Sequence, residues 1–366
     1  MRSLWIIVGV VVVVIVTIFV SIRLSQKSAP QEQVIKIGAI LPLTGELSLF
    51  GQWLKEGINL AALESKVIII FEDNKNRTTE SVSAFYKLIT TDKVQGIITA
   101  RTPVAFALAP LAARTQIPVV FTFADLPEKI EGCVLNYHFP VKDEVKFLAN
   151  TMTNIGDKAI VLTVNDDFGR TSAMTFKANY KGKVVFEDTF DARQIDFRSI
   201  IAKLPRNADF IFLVAYEQNF VSLVKHLNEQ KISIPIVGPN TLTVFLPLAK
   251  KFLTMPIYVI MSTYDAGLIS SDNKLYQRFK EKFRKQYNKE PNMVNAEAYE
   301  ATKYLIDLLQ KHDMSSAEVC KYIASPRTIS SLFGILKVSP DGQVHFPLAV
   351  VKLEGEKRNI IATWQP

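Results

Sequence analysis

The sequence predicts an α/β protein of two doubly wound parallel sheets, preceded by one apolar segment. Two rounds of short apolar strands alternating with amphipathic helices predict the sheets; the first spans residues 34–122 and the second starts again at Lys158. An uncharged run over residues 4–22 predicts the segment. The chain has 366 residues, more than one compact core usually carries, so two lobes plus appendages are expected.

Each element follows from its local pattern. Residues 34–42 are a buried-strand run that Gly45 ends, and residues 50–64 carry the helical spacing Trp53, Leu54, Ile58, Ala61 and Ala62. Strands are then expected at 67–71, 94–99 and 118–122, with helices at 79–90 and 104–114 between them. In the second array the strands fall at 159–164, 183–188, 210–215, 234–237 and 257–261, and the helices at 171–180, 198–204, 219–229 and 243–252. Two long helices follow, 274–286 with Phe279, Phe283 and Tyr287 on one stripe, and 295–311. The chain ends in two strands around Ser339-Pro340-Asp341-Gly342, a hairpin signal.

Residues 4–22 are bracketed by Arg2 and Arg23, and at about 1.5 Å per residue such a run spans a bilayer core. No small-x-small site follows it, so it reads as an uncleaved anchor, with a removed signal peptide as the alternative. Both readings export the rest of the chain, with residues 23–33 as a polar linker. The net charge is +8, but Lys and Arg are interspersed with Asp and Glu, as in Lys280-Glu281-Lys282-Phe283-Arg284-Lys285. That pattern is a solvated helix face near anionic lipid, and no nucleic-acid partner is expected. An exported protein can join Cys133 to Cys320, although their separation in sequence says nothing about their distance. The four His residues are scattered, and no metal site is expected.

Nucleotide enzymes are excluded on motif. No Gly-x-Gly-x-x-Gly follows the first strand, and neither a phosphate-binding Gly-x-x-x-x-Gly-Lys loop nor a Gly-x-Ser-x-Gly elbow is present. Asp167-Phe168-Gly169 lacks the companions of a kinase, and Asp73-Asn74-Lys75-Asn76 lacks the rest of a calcium loop. The chain is read as a binding protein without catalysis or cofactor.

Several segments, taken in order, resemble the leucine/isoleucine/valine-binding proteins, the substrate-binding components of branched-chain amino-acid ABC transporters. These are Ile40-Leu41-Pro42-Leu43-Thr44-Gly45 with Phe50-Gly51, the acidic loop Phe71-Glu72-Asp73-Asn74, Ala109-Pro110-Leu111-Ala112 with Ile117-Pro118-Val119, Asp166-Asp167-Phe168-Gly169, and Val237-Gly238-Pro239. The resemblance implies a type I periplasmic binding protein with a three-strand hinge. Lobe one would be residues 34–137 and 264–336, and lobe two residues 138–263 and 337–366. It also implies a small amino-acid-like or carboxylate ligand between the lobes, capture by hinge closure, and an ABC transporter permease as partner. The same fold serves ligand-sensing ectodomains, so a sensor working with a separate signalling partner is the alternative.

By the same resemblance the ligand's carboxylate would meet Arg101 and Thr102 with Ala124 and Asp125, where backbone N–H groups at a helix start suit an anion, and Phe123 beside them is a further ligand-binding candidate. Arg101 would add a charge-assisted bond or stand at the surface beside the cleft. Phe50, Phe168 and Tyr216 would wall the ligand's apolar part, or pack only in the lobe cores. Where the family has an acid after Gly-Pro to pair with an ammonium, this chain has Asn240. Asp125 is the candidate replacement anion, or the cap of a turn.

Overall fold

A computed structural model describes residues 34–127, 132–310 and 315–366. The expected anchor at 4–22 lies outside them; among the described residues no helix is long and apolar enough to cross a membrane.

The first sheet is all parallel, in the order β2-β1-β3-β4-β5. Its strands are β1 (Lys36–Leu41), β2 (Ile68–Asp73), β3 (Gly96–Ala100), β4 (Val119–Thr122) and β5 (Val134–Asn136). Between them run α1 (Ser48–Ser65), α2 (Thr78–Lys87) with a π-helical turn at Leu88–Asp92, and α3 (Thr102–Thr115). The predicted apolar spacing of α1 is its buried face: Leu54, Ile58, Ala61 and Ala62 are all buried. Strands β1, β3 and β4 are buried almost throughout, which is why they read as continuous apolar runs and do not alternate.

The second sheet has the order β15-β14-β10-β9-β8-β6-β7. Its parallel part is β6 (Lys158–Val164), β7 (Lys183–Phe190), β8 (Phe210–Val214), β9 (Ile236–Gly238) and β10 (Ile257–Ser262). The helices are α4 (Val141–Met152), α5 (Asp167–Asn179), the short α6 (Arg198–Ile201), α7 (Glu217–Glu229) and α8 (Thr241–Ala249). After β10 come α9 (Lys274–Tyr287), α10 (Met293–Gln310), which packs along α1, and α11 (Ser316–Tyr322). A small antiparallel sheet of β11 (Arg327–Ser331), β12 (Gly334–Val338) and β13 (Val344–His345) follows. Finally β14 (Leu348–Glu354) and β15 (Lys357–Trp364) return as antiparallel edge strands of the second sheet.

Three expectations change. The segment before β6, unassigned by sequence, is α4, whose Val141, Val145, Leu148, Ala149 and Met152 form one buried stripe. Helix α5 begins at Asp167 and not at Thr171, because Asp166 caps it by accepting the Gly169 N–H at 2.9 Å. The chain ends in five strands rather than two: the Ser339–Gly342 turn joins β12 to β13, while β14 and β15 extend the second sheet.

Two glycines set how closely α1 and α5 approach the sheets. A Cβ on Gly51 would lie 2.1 Å from the Pro42 carbonyl oxygen, and one on Gly169 would lie 1.7 Å from that of Val164. Each follows a phenylalanine, Phe50 or Phe168, which is thereby seated just beyond the end of β1 or β6.

Cys133 and Cys320 are joined in a disulfide that bridges 187 residues of sequence, from the start of β5 to α11. Closing so long a loop restricts the unfolded chain, a contribution of at most about 5 kcal/mol on the chain-entropy estimate. The double variant Cys133→Ser/Cys320→Ser is therefore expected to melt well below the oxidised protein, and a reductant is expected to lower the wild-type melting temperature while leaving the variant's unchanged. Both are checked by thermal unfolding with and without reductant.

Candidate functional site

A cleft lies where the carboxyl ends of the strands in the two parallel sheets meet, the position open α/β sheets use for ligands. It encloses about 560 Å³ of space, counting the part open to solvent. Phe50 arrives from the first turn of α1, Arg101 and Thr102 from just past the end of β3, and Phe123 and Ala124 from just past the end of β4. On the other side stand Phe168 at the start of α5 and Tyr216 at the end of β8. Asp125 and Asn240 are buried nearby, but neither lines the cleft.

Arg101 caps α3 with φ +84°, a backbone region that favours glycine. It is only 9% exposed. Its guanidinium carbon sits 4.7 Å from the centre of the Tyr216 ring, and its Nη2 lies 4.0 Å from Asp166 Oδ2. The Tyr216 hydroxyl donates to the same Asp166 oxygen at 2.6 Å. Asp166 thus caps α5, accepts from Tyr216 and faces Arg101. Burial pushes the Tyr216 phenol well up, so it remains a donor at neutral pH. Thr102 opens α3, where the first-turn N–H groups have no helical partner and Pro103 carries none. Its Oγ1 accepts the Asp125 N–H at 3.0 Å, which fixes the loop after β4.

The walls are aromatic. Phe50 meets Phe123 edge-on at 5.4 Å, and Phe168 stacks on Tyr216 at 6.3 Å. Phe123, at φ +47°, stacks on His138 at 4.6 Å. The floor is a buried polar pair: His138 Nδ1 is 2.8 Å from Glu297 Oε2, and Glu297 Oε1 accepts the Phe123 N–H at 3.1 Å.

The acidic end of β2 braces the structure instead of meeting the cleft. Asp73 accepts the N–H groups of Leu43 at 3.0 Å and Thr44 at 3.3 Å, together with the Thr44 hydroxyl at 2.5 Å. It thereby holds the turn that leads into Phe50.

Sequence reasoning missed Leu47, His138, Val141, Glu144, Thr241, Val244 and Phe245, all of which line the cleft. Glu144 was the findable one. Its position falls on the apolar stripe of α4, between Val141 and Val145, and an acid on a buried stripe is a signal. Among the described residues no cluster of His, Cys, Asp and Glu is arranged to hold a metal. The arrangement can grip an anion at Arg101 and the start of α3, and enclose an apolar body between rings.

A profile of the periplasmic binding protein family matches residues 34–358. The chain belongs to that family. It is a family of solute-binding proteins, extracytoplasmic or periplasmic, and not a class of enzymes. Solved structures share the fold. The branched-chain amino-acid transporter substrate-binding protein LivJ from Streptococcus pneumoniae, in complex with isoleucine, is 21% identical, with 90% of this chain and 99% of that one covered and a TM-score of 0.80. The leucine-binding protein LivK from Thermotoga maritima is 21% identical, with 91% and 99% covered and a TM-score of 0.82. A solute-binding protein of an ABC transporter from R. palustris, in complex with benzoate, is 19% identical, with 90% and 96% covered and a TM-score of 0.75.

Several wholly or partly buried carboxyls hold their protons unusually tightly. Burial pushes Glu144, Asp265 and Glu300 up to about 7, and Asp125 to about 6. Each binds its proton more tightly folded than unfolded. As pH rises from about 4 to about 7, the unfolded chain loses protons that the folded chain keeps, so stability falls. The ligand-free protein is expected to melt at lower temperature at pH 8 than at pH 5, and Glu300→Gln is expected to flatten that slope. Thermal unfolding across this range checks both.

Proposed function

We propose that the chain is the extracytoplasmic solute-binding component of an ABC transporter and not an enzyme. It captures a small amino-acid-like or carboxylate ligand between two lobes. Lobe one comprises residues 34–137 and 264–336, lobe two residues 138–263 and 337–366, and closure turns on the three segments that pass between them. Residues 4–22 hold the protein at the membrane, where a permease reads the closed form. The observation that carries this reading is the convergence of Phe50, Arg101, Thr102, Phe123, Ala124, Phe168 and Tyr216, from five separate strand ends, on one cleft.

Ligand would settle first on the wall formed by Arg101 and the start of α3, which offers a guanidinium and first-turn N–H groups to a carboxylate. Phe168 and Tyr216 then add contacts from the opposite wall. The closed form gains population in proportion to its differential affinity for the ligand. The isoleucine and benzoate bound by the similar proteins both pair a carboxylate with an apolar body, which suits these walls.

A thermal-shift screen of the full chain against amino acids, short peptides, amides and aromatic acids tests the reading. A ligand at a hundred times its dissociation constant is expected to stabilise the fold by about 2.7 kcal/mol. Arg101→Ala is expected to remain folded and to weaken a carboxylate ligand by roughly tenfold or more. A screen in which no compound raises the melting temperature counts against the proposal.

A further inference from the structure

Glu144 is a charged group on the cleft wall that nothing in the sequence reading assigned. It sits in the first turn of α4 and is 1% exposed. Its Oε2 accepts the Asn240 N–H at 2.9 Å, which ties the carboxylate to the loop after β9. Asn240 itself turns its side-chain amide toward the Ile260 carbonyl at 3.3 Å and stays off the cleft wall. The first residue of α8, Thr241, and then Val244 and Phe245 complete this part of the lining.

Among the described residues the charges around Glu144 include no paired Lys or Arg. His138 favours its ionised form, but His138 already pairs with Glu297 at 2.8 Å. Asp125 and Asp143 both oppose ionisation. A buried carboxylate without a positive partner is costly in its charged form, and burial accordingly holds its carboxyl up at about 7. The cleft therefore presents a guanidinium from the end of β3 and, from α4, a carboxylate whose charge is unmatched.

We propose that Glu144 accepts the protonated amine of the ligand, so that this cleft selects a zwitterion over a bare carboxylate. The ligand's carboxylate faces Arg101 and the start of α3, its ammonium faces Glu144, and its apolar body lies between the phenylalanines. Asp125 and Asn240 then support the loops on either side without touching the ligand. This inference rests on the solute-binding reading above and narrows its ligand class.

The test is a melting and titration series on the full chain with the standard amino acids, each beside its des-amino carboxylate, and with benzoate. Wild type and Glu144→Gln are compared; the amide keeps an oxygen for the Asn240 N–H and removes the charge. At least one amino acid is expected to raise the melting temperature where its des-amino partner at equal concentration does not. In Glu144→Gln its dissociation constant is expected to rise roughly thirtyfold or more. The ligand-free variant is expected to melt no lower than wild type at pH 8, which separates a lost contact from a lost fold. If the des-amino carboxylates or benzoate bind as tightly as any amino acid, or if Glu144→Gln binds the amino acid as wild type does, the assignment of Glu144 is overturned and solute binding stands. If neither class of compound shifts the wild type, both are overturned together.

Discussion

Arg101 connects the two sides of the cleft. It leaves the end of β3 with φ +84° and lays its guanidinium 4.7 Å over the ring of Tyr216, at the end of β8. A non-glycine residue held in such a region costs on the order of 1–3 kcal/mol and persists only where its surroundings fix it. A cation over a desolvated aromatic ring returns about 2 kcal/mol, and the buried side chain is further positioned by Asp166. Much else depends on this geometry. Asp166 starts α5, α5 seats Phe168, and Phe168 stacks on the Tyr216 that receives the guanidinium. In the proposed binding mode a ligand carboxylate would share Arg101 with Asp166, a contact that already exists between the two walls.

Around that contact the cleft is built by close approach and burial. Gly51 and Gly169 let α1 and α5 press onto the ends of β1 and β6, placing one phenylalanine on each wall. Below, His138 and Glu297 bind the segment between β5 and α4 to α10, and Glu297 also holds the Phe123 main chain. These groups are buried and hydrogen-bonded, which gives the floor a definite shape. Among the described residues Glu144 has a main-chain donor, the Asn240 N–H, but no Lys or Arg paired with it.

Most of the parallel framework was legible in the sequence, because β1, β3, β4, β6 and β8 are buried on both faces and appear as uninterrupted apolar runs. The antiparallel strands β14 and β15 were not separately legible, since β15 is largely exposed and carries Lys357, Arg358 and Asn359 between its apolar residues. Helix α4 escaped because Glu144 interrupts its buried stripe and Lys142, Asp143 and Lys146 crowd its first turns with charge. With it went Glu144 and the neighbouring His138, both on the cleft. The positions picked by resemblance came together well where a strand end fixes them, as at Arg101, Thr102 and Tyr216. They diverged at the loop positions Asp125, one residue after the cleft-lining Ala124, and Asn240, one residue before the cleft-lining Thr241. Sequence order identifies such a loop, but only the hydrogen bonds from Asp125 to Thr102 and from Asn240 to Glu144 show where it points.

The central claim is capture by two walls that close on one molecule. Small-angle X-ray scattering of residues 31–366, recorded without ligand and with a saturating compound that raises the melting temperature, tests it most directly. The account predicts a smaller radius of gyration in the saturated protein. Superimposable profiles at saturation would contradict it.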